Sequence, residues 1–289
     1  MMLCIGGCFH YLTRMSPERP ELFDRQALAR NRARSSRDPV DFLRIAAVED
    51  VQERLNEVNR EFKSVAVVSP RPDLWGASIP SAVFVADDDV LDLEPSKHDL
   101  LIHDLCMHWA NDPVGQLVQA RRALRPDGLF LGTLFGGQTL NELRSCLAQA
   151  ETEVAGGLSA RVAPMAEIRD LGGLLQRAGL ALPVADGLPF SVSYQSPLKL
   201  MAELRQMGES NAIASRVRHF TKRAVILRAA ELYSQNFAGP DNRITATFEI
   251  ITLTGWAPAA TQPQALRPGS ATNRLADALG AVETKLKPF

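Results

Sequence analysis

The segment Asp99–Phe135, DLLIHDLCMHWANDPVGQLVQARRALRPDGLFLGTLF, constrains the fold more than any other part of this chain. Asp99–Ile102 follows the turn-forming pair Pro95-Ser96 and is of strand type. Val114, Leu117, Val118 and Leu124 share one helix face, with Arg121, Arg122 and Arg125 toward the C-terminal end, where cations suit the helix dipole. Pro126-Asp127-Gly128 reads as a turn, and Leu129–Phe135 is a strongly apolar strand. Strand, helix, tight turn and strand make a βαβ unit, which implies a parallel sheet covered by helices.

Other elements extend this frame. Val65–Val68 and Ala82–Ala86 are short apolar runs of strand type, upstream of the βαβ unit. Phe42, Leu43, Ala46, Ala47, Val51, Leu55 and Val58 recur at helical spacing and predict a helix over about Asp41 to Asn59. Downstream, helices are predicted from Leu140 to about Glu153 and over Ala166–Ala178, the latter ended by Gly179. Leu180–Val184 and Phe190–Tyr194 suggest two strands. Ser196-Pro197 reads as an N-cap and first helical residue, with Gly208 as the stop. A further helix spans roughly Thr221–Asn236, and Arg243–Trp256 alternates as a strand with one buried face.

With 289 residues, 46% hydrophobic and 22% charged, the chain is long enough for one large or two modest domains. No run of 18 apolar residues exists, so no transmembrane segment is expected. Four cysteines make no disulfide framework and suit a reducing compartment. A net charge of −1 offers no general footprint for nucleic acid, and the arginine-rich QALARNRARSSR has no interleaved aromatics on which bases stack. That stretch is expected to be a solvated, partly helical arm. The opening MMLCIGGCFHYLTR lacks the charged start of a secretory signal; the preferred reading is a start at Met15, with a short organellar transit segment as the alternative.

Charge is locally uneven. Residues 1–40 carry seven arginines against four acids, a net of +3, and residues 83–104 carry seven acids against one lysine, a net of −6. The two segments either lie close together or are separately solvated. Asp87-Asp88-Asp89 follows the second apolar run, and in open α/β sheets the crevice past the carboxyl ends of the strands binds ligands. There an aspartate accepts from an amino group or a ribose hydroxyl; otherwise the cluster is a solvated turn. His103-Asp104 closes the next strand at the same edge. His98, His103 and His108 invite a metal reading, but residues five apart on a strand face opposite ways and no second ligand pair appears. Neither a phosphate loop nor a serine elbow is present. Gly136-Gly137 is either a close backbone approach to a ligand or a plain strand-to-helix turn.

The stretch HDLLIHDLCMHWANDPVGQLVQARRALRPDGLFLGTLFGGQTLNELR resembles class I S-adenosylmethionine (SAM) methyltransferases of the malonyl-carrier-protein type. It is similar in particular to the subgroup that includes the mitochondrial complex I assembly factor regarded as a protein arginine hydroxylase. FDRQALARNRARS, AETEVAGGLSARVAPMAEIRDLGGLLQRAGL, LRQMGESNA, LTGWAP and RPGSATNRLADALG extend the likeness over roughly residues 22–280. The resemblance implies an α/β fold: a Rossmann-like methyltransferase sheet of seven strands, mostly parallel with an antiparallel last hairpin, and helices on both faces. It divides the chain into an arm (1–40), a Rossmann core (41–195), a helical insertion over the active-site side (196–237), a last core strand (238–257) and a surface tail (258–289). It also implies SAM as cofactor, Asp87 and its neighbour Asp88 at the adenine, and His103 and Asp104 near the methionine part. A respiratory complex I subunit is the implied protein partner or substrate, in the cytoplasm of a bacterium or the mitochondrial matrix of a eukaryote.

One stretch departs from the family pattern. Where relatives place a glycine-rich loop after the first strand, this chain has Ser69-Pro70-Arg71-Pro72. Prolines remove N–H groups and fix φ. Ser69 to Ser81 is also too short for a helix, a strand and a second helix, since one crossover already takes at least about 10–12 residues. The sheet is therefore expected to be shortened between its first and third strands. Two function classes follow: a modifying enzyme of this family, by methyl transfer or arginine hydroxylation, and a non-catalytic relative serving assembly without SAM.

Overall fold

A computed structural model describes residues 21–76, 78–263 and 279–280. The opening fourteen residues and nearly all of the RPGSATNRLADALG motif lie outside them. In chain order the elements are α1 (Arg25–Ser35), α2 (Phe42–Glu57), β1 (Val65–Val68), α3 (Asp73–Gly76), β2 (Val83–Val85) and β3 (His98–His103). A single 3₁₀ turn, Met107–Trp109, leads into α4 (Pro113–Ala123), β4 (Leu124–Phe135), α5 (Asn141–Ala155) and α6 (Ile168–Arg177). The chain continues through β5 (Ala181–Tyr194), α7 (Pro197–Gln206), α8 (Arg223–Phe237) and β6 (Ile244–Trp256).

The helix boundaries carry their chemistry. The Asp112 carboxylate accepts from Gly115 N–H ahead of Pro113 in the first turn of α4, and Ser196 accepts from Lys199 N–H ahead of Pro197 in α7. Gly179 at φ +78° and Gly208 at φ +82° end α6 and α7 in the left-handed region, where glycine carries no Cβ penalty.

The strands form one sheet in the order β2-β1-β3-β4-β6-β5. β2, β1, β3 and β4 are parallel, and β6 is antiparallel to both β4 and β5. β2 pairs directly with β1, Val83 opposite Ala66, with no strand between them. Among the described residues the sheet thus has six strands where the resemblance implies seven. The lost one is the second, as the short Ser69–Ser81 connection requires.

Alternation builds the layers. Val65, Val67, Leu100 and Ile102 face α2 and the buried Trp75. Ala66, Val68, Leu101 and Phe130 face the opposite way, onto Leu117, Ala120, Leu171 and Leu175 of α4 and α6. α5, α7 and α8 pack together against the first half of β6.

Three details differ from the sequence reading. The two strands expected within 180–194 are one, because β6 runs unbroken beside them; β5 lies at the sheet edge, where Pro183 and Pro189 are tolerated. The Pro126-Asp127-Gly128 turn sits inside β4 as a bulge, His98 facing Leu124 and Leu100 facing Leu129, with Asp127 at φ +61°. The arginine-rich stretch is not a solvated arm. Ala27 and Leu28 of α1 are buried against Trp109, Ala212 and Ile213, and Phe23 forms a bridge with Ile213.

Candidate functional site

The carboxyl ends of β1, β2 and β3 bring Ser69, Asp87, His103 and Asp104 to one edge, as the strand register dictates. Asp88 is next to them but exposed, its side chain 76% accessible. Asp87, Asp88, His103 and Asp104 therefore meet at this edge, whereas His98, His108 and Gly136-Gly137 lie elsewhere. The carboxylates there are already engaged by the chain's own cations.

Asp87 receives two arginines from α1. Arg32 Nη1 donates to Asp87 Oδ1 at 2.7 Å, and Arg25 Nη1 lies 3.5 Å from Oδ2 while its Nη2 donates to the Asp87 carbonyl. Burial pushes the Asp87 carboxyl up, but Arg32 and Arg25 outweigh it and leave the group below its ordinary value. Asp104 is fully buried and receives Arg44 of α2: Nη1 donates to its Oδ2 at 2.9 Å and to its carbonyl at 2.8 Å. Ser69 Oγ–H donates to the same Oδ2 at 2.5 Å. Asp104 Oδ1 and Arg32 Nη2 remain buried without a hydrogen-bond partner among the described residues.

The loop after β1 has little left to offer. Ser69 N–H donates to Val85 O at 3.0 Å and Arg71 N–H to Ser69 Oγ at 2.9 Å, while Pro70 and Pro72 have no N–H. Arg71 pairs with Asp41 and Asp73, which ties the loop to the start of α2. Trp75 points away, into the core beneath α2. A cleft of about 350 Å³ persists between α1 and this edge, bounded by Arg25, Arg32, Pro70, Ala86 and Asp87.

His103 is locked in a buried relay. Gln116 gives an N–H to Asp88 O at 3.0 Å, so its Oε1 accepts from His103 Nε2–H at 3.0 Å. His103 Nδ1 then faces the Cys106 thiol at 3.4 Å. Burial holds the imidazole down to about 4, so it is neutral at pH 7, and burial likewise pushes the Cys106 thiol well up. His98 bonds instead with Ser64 Oγ and His108 with Glu209, so the three histidines serve separate neighbours. Among the described residues no group of three or more His, Cys, Asp or Glu side chains is arranged to hold a metal ion.

Gly136-Gly137 serves a structural purpose here. A Cβ on Gly136 would collide with the Glu249 carboxylate and with Ile251 Cδ1 at 2.6 Å, and one on Gly137 would collide with Glu167. Glu249 instead accepts from Gln138 N–H at 3.0 Å and holds the turn between β4 and α5.

A second hollow lies on the other side of α1. It is an open groove of about 1000 Å³ between α1, α5, α7 and the segment 209–217. Phe135, Leu140, Leu143, Leu147, Met201 and Phe248 form much of its apolar floor. Glu209 reaches into it, accepting from Trp109 Nε1–H at 2.7 Å and meeting His108 Nε2 at 3.1 Å. Burial pushes the Glu209 carboxyl up, and His108, Arg32 and Arg44 overcome that and leave it lowered.

Comparison with known proteins places this geometry among relatives. The arginine-hydroxylase NDUFAF5, mitochondrial, of Danio rerio is 37% identical over 201 residues, 70% of this chain and 62% of that protein. The Homo sapiens protein of the same name is 36% identical over 210 residues, 73% of this chain and 60% of that one. The chain is homologous to the NDUFAF5 arginine-hydroxylases. It is related also to malonyl-[acyl-carrier protein] O-methyltransferases, at 31% identity over 180 residues to that of Halorhodospira halophila, 62% of this chain and 59% of that protein. The chain spans about three-fifths of the length of these relatives. No protein-family model matches it. Among solved structures, the YcgJ protein of Bacillus subtilis aligns with a TM-score of 0.43 at 9% identity, over 69% of this chain and 93% of that one. That likeness is too distant to add to the topology described above.

Sequence reasoning missed the cations at this site. Arg25, Arg32 and Arg44 come from helices 55 to 62 residues away from their partners. For Arg25 and Arg32 the available signal was the opposite local charge of residues 1–40 and 83–104; Arg44 lies outside both segments.

Proposed function

We propose that this chain serves the assembly of respiratory complex I by acting on a protein subunit, as an arginine hydroxylase of the NDUFAF5 kind or as a methyltransferase. The observation that supports this reading is sequence identity of 36–39% over about 200 residues to five proteins named as arginine hydroxylases. The proposed place of action is the mitochondrial matrix or the bacterial cytoplasm, since the five relatives are named as mitochondrial proteins. The test is proteomic. Complex I subunits from cells lacking the chain should lose the mass of one oxygen or one methyl on an arginine, and restoring the chain should return it. An unchanged modification pattern refutes the enzymatic reading.

A second reading, favoured by the arginines at the crevice, is a non-catalytic assembly protein that no longer binds SAM. In this arrangement the residues do not fit that cofactor. The loop offers no free N–H at Ser69 or Arg71, the strand that would carry a ribose acid is missing, and Asp87 and Asp104 are neutralised internally. SAM is itself cationic at its sulfonium and amino groups, so an acidic edge already holding Arg25, Arg32 and Arg44 disfavours it further. On this reading a former cofactor edge has Asp87 and Asp104 held in internal ion pairs, His103 in a neutral hydrogen-bonded relay and Asp88 at the surface. Calorimetric titration of SAM into the full chain tests this directly; micromolar affinity sinks it.

A further inference from the structure

We propose that the groove between α1 and α7 is a docking site for an acidic peptide segment bearing bulky apolar side chains. The inference does not rest on the complex I reading. It starts from a mismatch in charge. Arg30, Arg34, Arg37 and Arg205 all line the groove and are exposed, and none of them is held in an ion pair among the described residues. Arg34 touches only the neutral Asn31 side chain. Two other lining arginines are spent, Arg161 on Glu151 and Arg216 on Asp24.

Helix dipoles do not account for this excess. The C-terminal turns of α1 and α7 meet here, since Val40 N–H donates to Gln206 O and Gly208 packs on Arg32 and Ser35. Two helix ends supply about one negative charge between them. The exposed acid on the rim is Asp38, which bonds to Gln206, and Glu209 is taken up by Trp109 and His108. Glu209 stays charged, so four cations stand against about three negative charges, Asp38, Glu209 and the two helix ends, which still leaves the rim positive.

Rim and floor together select the occupant. An apolar floor inside a cationic rim suits a ligand with apolar groups directed inward and anionic groups outward. The cations are spread out: Arg30 and Arg34 stand one turn, about 6 Å, apart along α1, Arg37 lies beyond its end, and Arg205 is on another helix. A single head group, as on a fatty acid, meets only one of these positions. A peptide with several spaced carboxylates meets them all, and its apolar side chains reach Leu143, Leu147 and Met201.

The experiment uses the full chain and three fluorescein-labelled probes: a short peptide alternating Glu and Leu, the same peptide with Lys for Glu, and palmitate. Fluorescence anisotropy should show binding of the Glu–Leu peptide that weakens as salt is raised. R30E/R34E should weaken it by at least about tenfold, a loss of about 1.4 kcal/mol. M201E, which places a charge on the floor, should weaken it as well. Both reversed arginines are exposed and unpaired, so the parent melting temperature should persist in R30E/R34E. The proposal is overturned if the Lys–Leu peptide binds as well, if palmitate binds as tightly and displaces the Glu–Leu peptide, if the charge reversal leaves affinity unchanged, or if no peptide binds.

Discussion

Removing both arginines from Asp87 should reverse the way this chain responds to pH. The perturbation is R25M/R32M, which keeps the aliphatic bulk and deletes the charge. The Asp87 side chain is 7% exposed, and its partners are 21% and 20% exposed. Breaking a buried pair from one side costs about 3–5 kcal/mol, because the remaining charge is left unpaired. The partial exposure of the arginines lets solvent screen part of this, so the loss at neutral pH should be about 3 kcal/mol. With a urea slope of about 3 kcal/mol/M for a chain of this size, the midpoint should fall by about 1 M. In the parent the Asp87 carboxyl is depressed, so its contribution is present above the ordinary value of about 3.9 and is lost as pH falls through the lower folded value. In the variant burial acts unopposed and raises the carboxyl, so the cost of holding the charge grows as pH rises. The gap between parent and variant should therefore be wide at pH 7.5 and narrow toward pH 4. Adding Asp87→Asn to the variant should recover most of the loss at pH 7.5. A loss below about 0.5 kcal/mol, a gap equal at both pH values, or no recovery by the asparagine would refute the assignment of Asp87 as a buried charge held by α1.

Three further outcomes follow from the same structure. Gly136→Ala should cost about 1–3 kcal/mol in urea unfolding, because the added methyl group meets Ile251 Cδ1 at 2.6 Å and displaces the Glu249 carboxylate from Gln138 N–H. Ser196→Ala should cost about 1 kcal/mol by removing the acceptor for Lys199 N–H, while Ser196→Asp should retain the cap. His103 is held down to about 4 by burial, so between about pH 6.5 and 4 the unfolded chain takes up a proton that the folded ring refuses. Stability should thus decline as pH falls through that window, and His103→Gln should flatten the slope; a parent curve already flat there would contradict the buried neutral ring.

The parallel core was legible because its residues had only one use. Val65–Val68 is apolar throughout and Leu129–Phe135 is so except at Gly132 and Thr133, which suits strands covered on both faces, and the helix between β3 and β4 carries its apolar residues on one side. The missing second strand was legible once the seven-stranded pattern that the resemblance implies was set beside the length of Ser69–Ser81, which holds no room for it. Register and edge effects were not. β5 contains Pro183, Gly187 and Pro189, which break a strand by local rules. It persists because its partner β6 supplies a continuous ladder and its outer edge needs no N–H.

The site was half legible, and α1 shows why. Composition marks RQALARNRARS as polar, with too few apolar residues to make a wide stripe, so local reasoning leaves it in solvent. The helix docks through a small contact, Ala27 and Leu28 on Trp109 and Ile213, and through ion pairs whose partners are distant in sequence. Helical spacing does carry part of the answer: Arg25 and Arg32, seven apart, lie on one face and meet Asp87, while Arg30 and Arg34, four apart, lie on another and meet the groove. A single short helix therefore both neutralises Asp87 at the carboxyl edge of the sheet and supplies part of the cationic rim of the hollow beside it. Burial makes the first role physically necessary: Asp87 is 5% exposed, and a buried carboxylate without ligand or cation costs several kcal/mol, of order the whole margin of a domain. The second role has no such stabilising need. Cations that pair with no acid among the described residues are the ones left to meet something outside them.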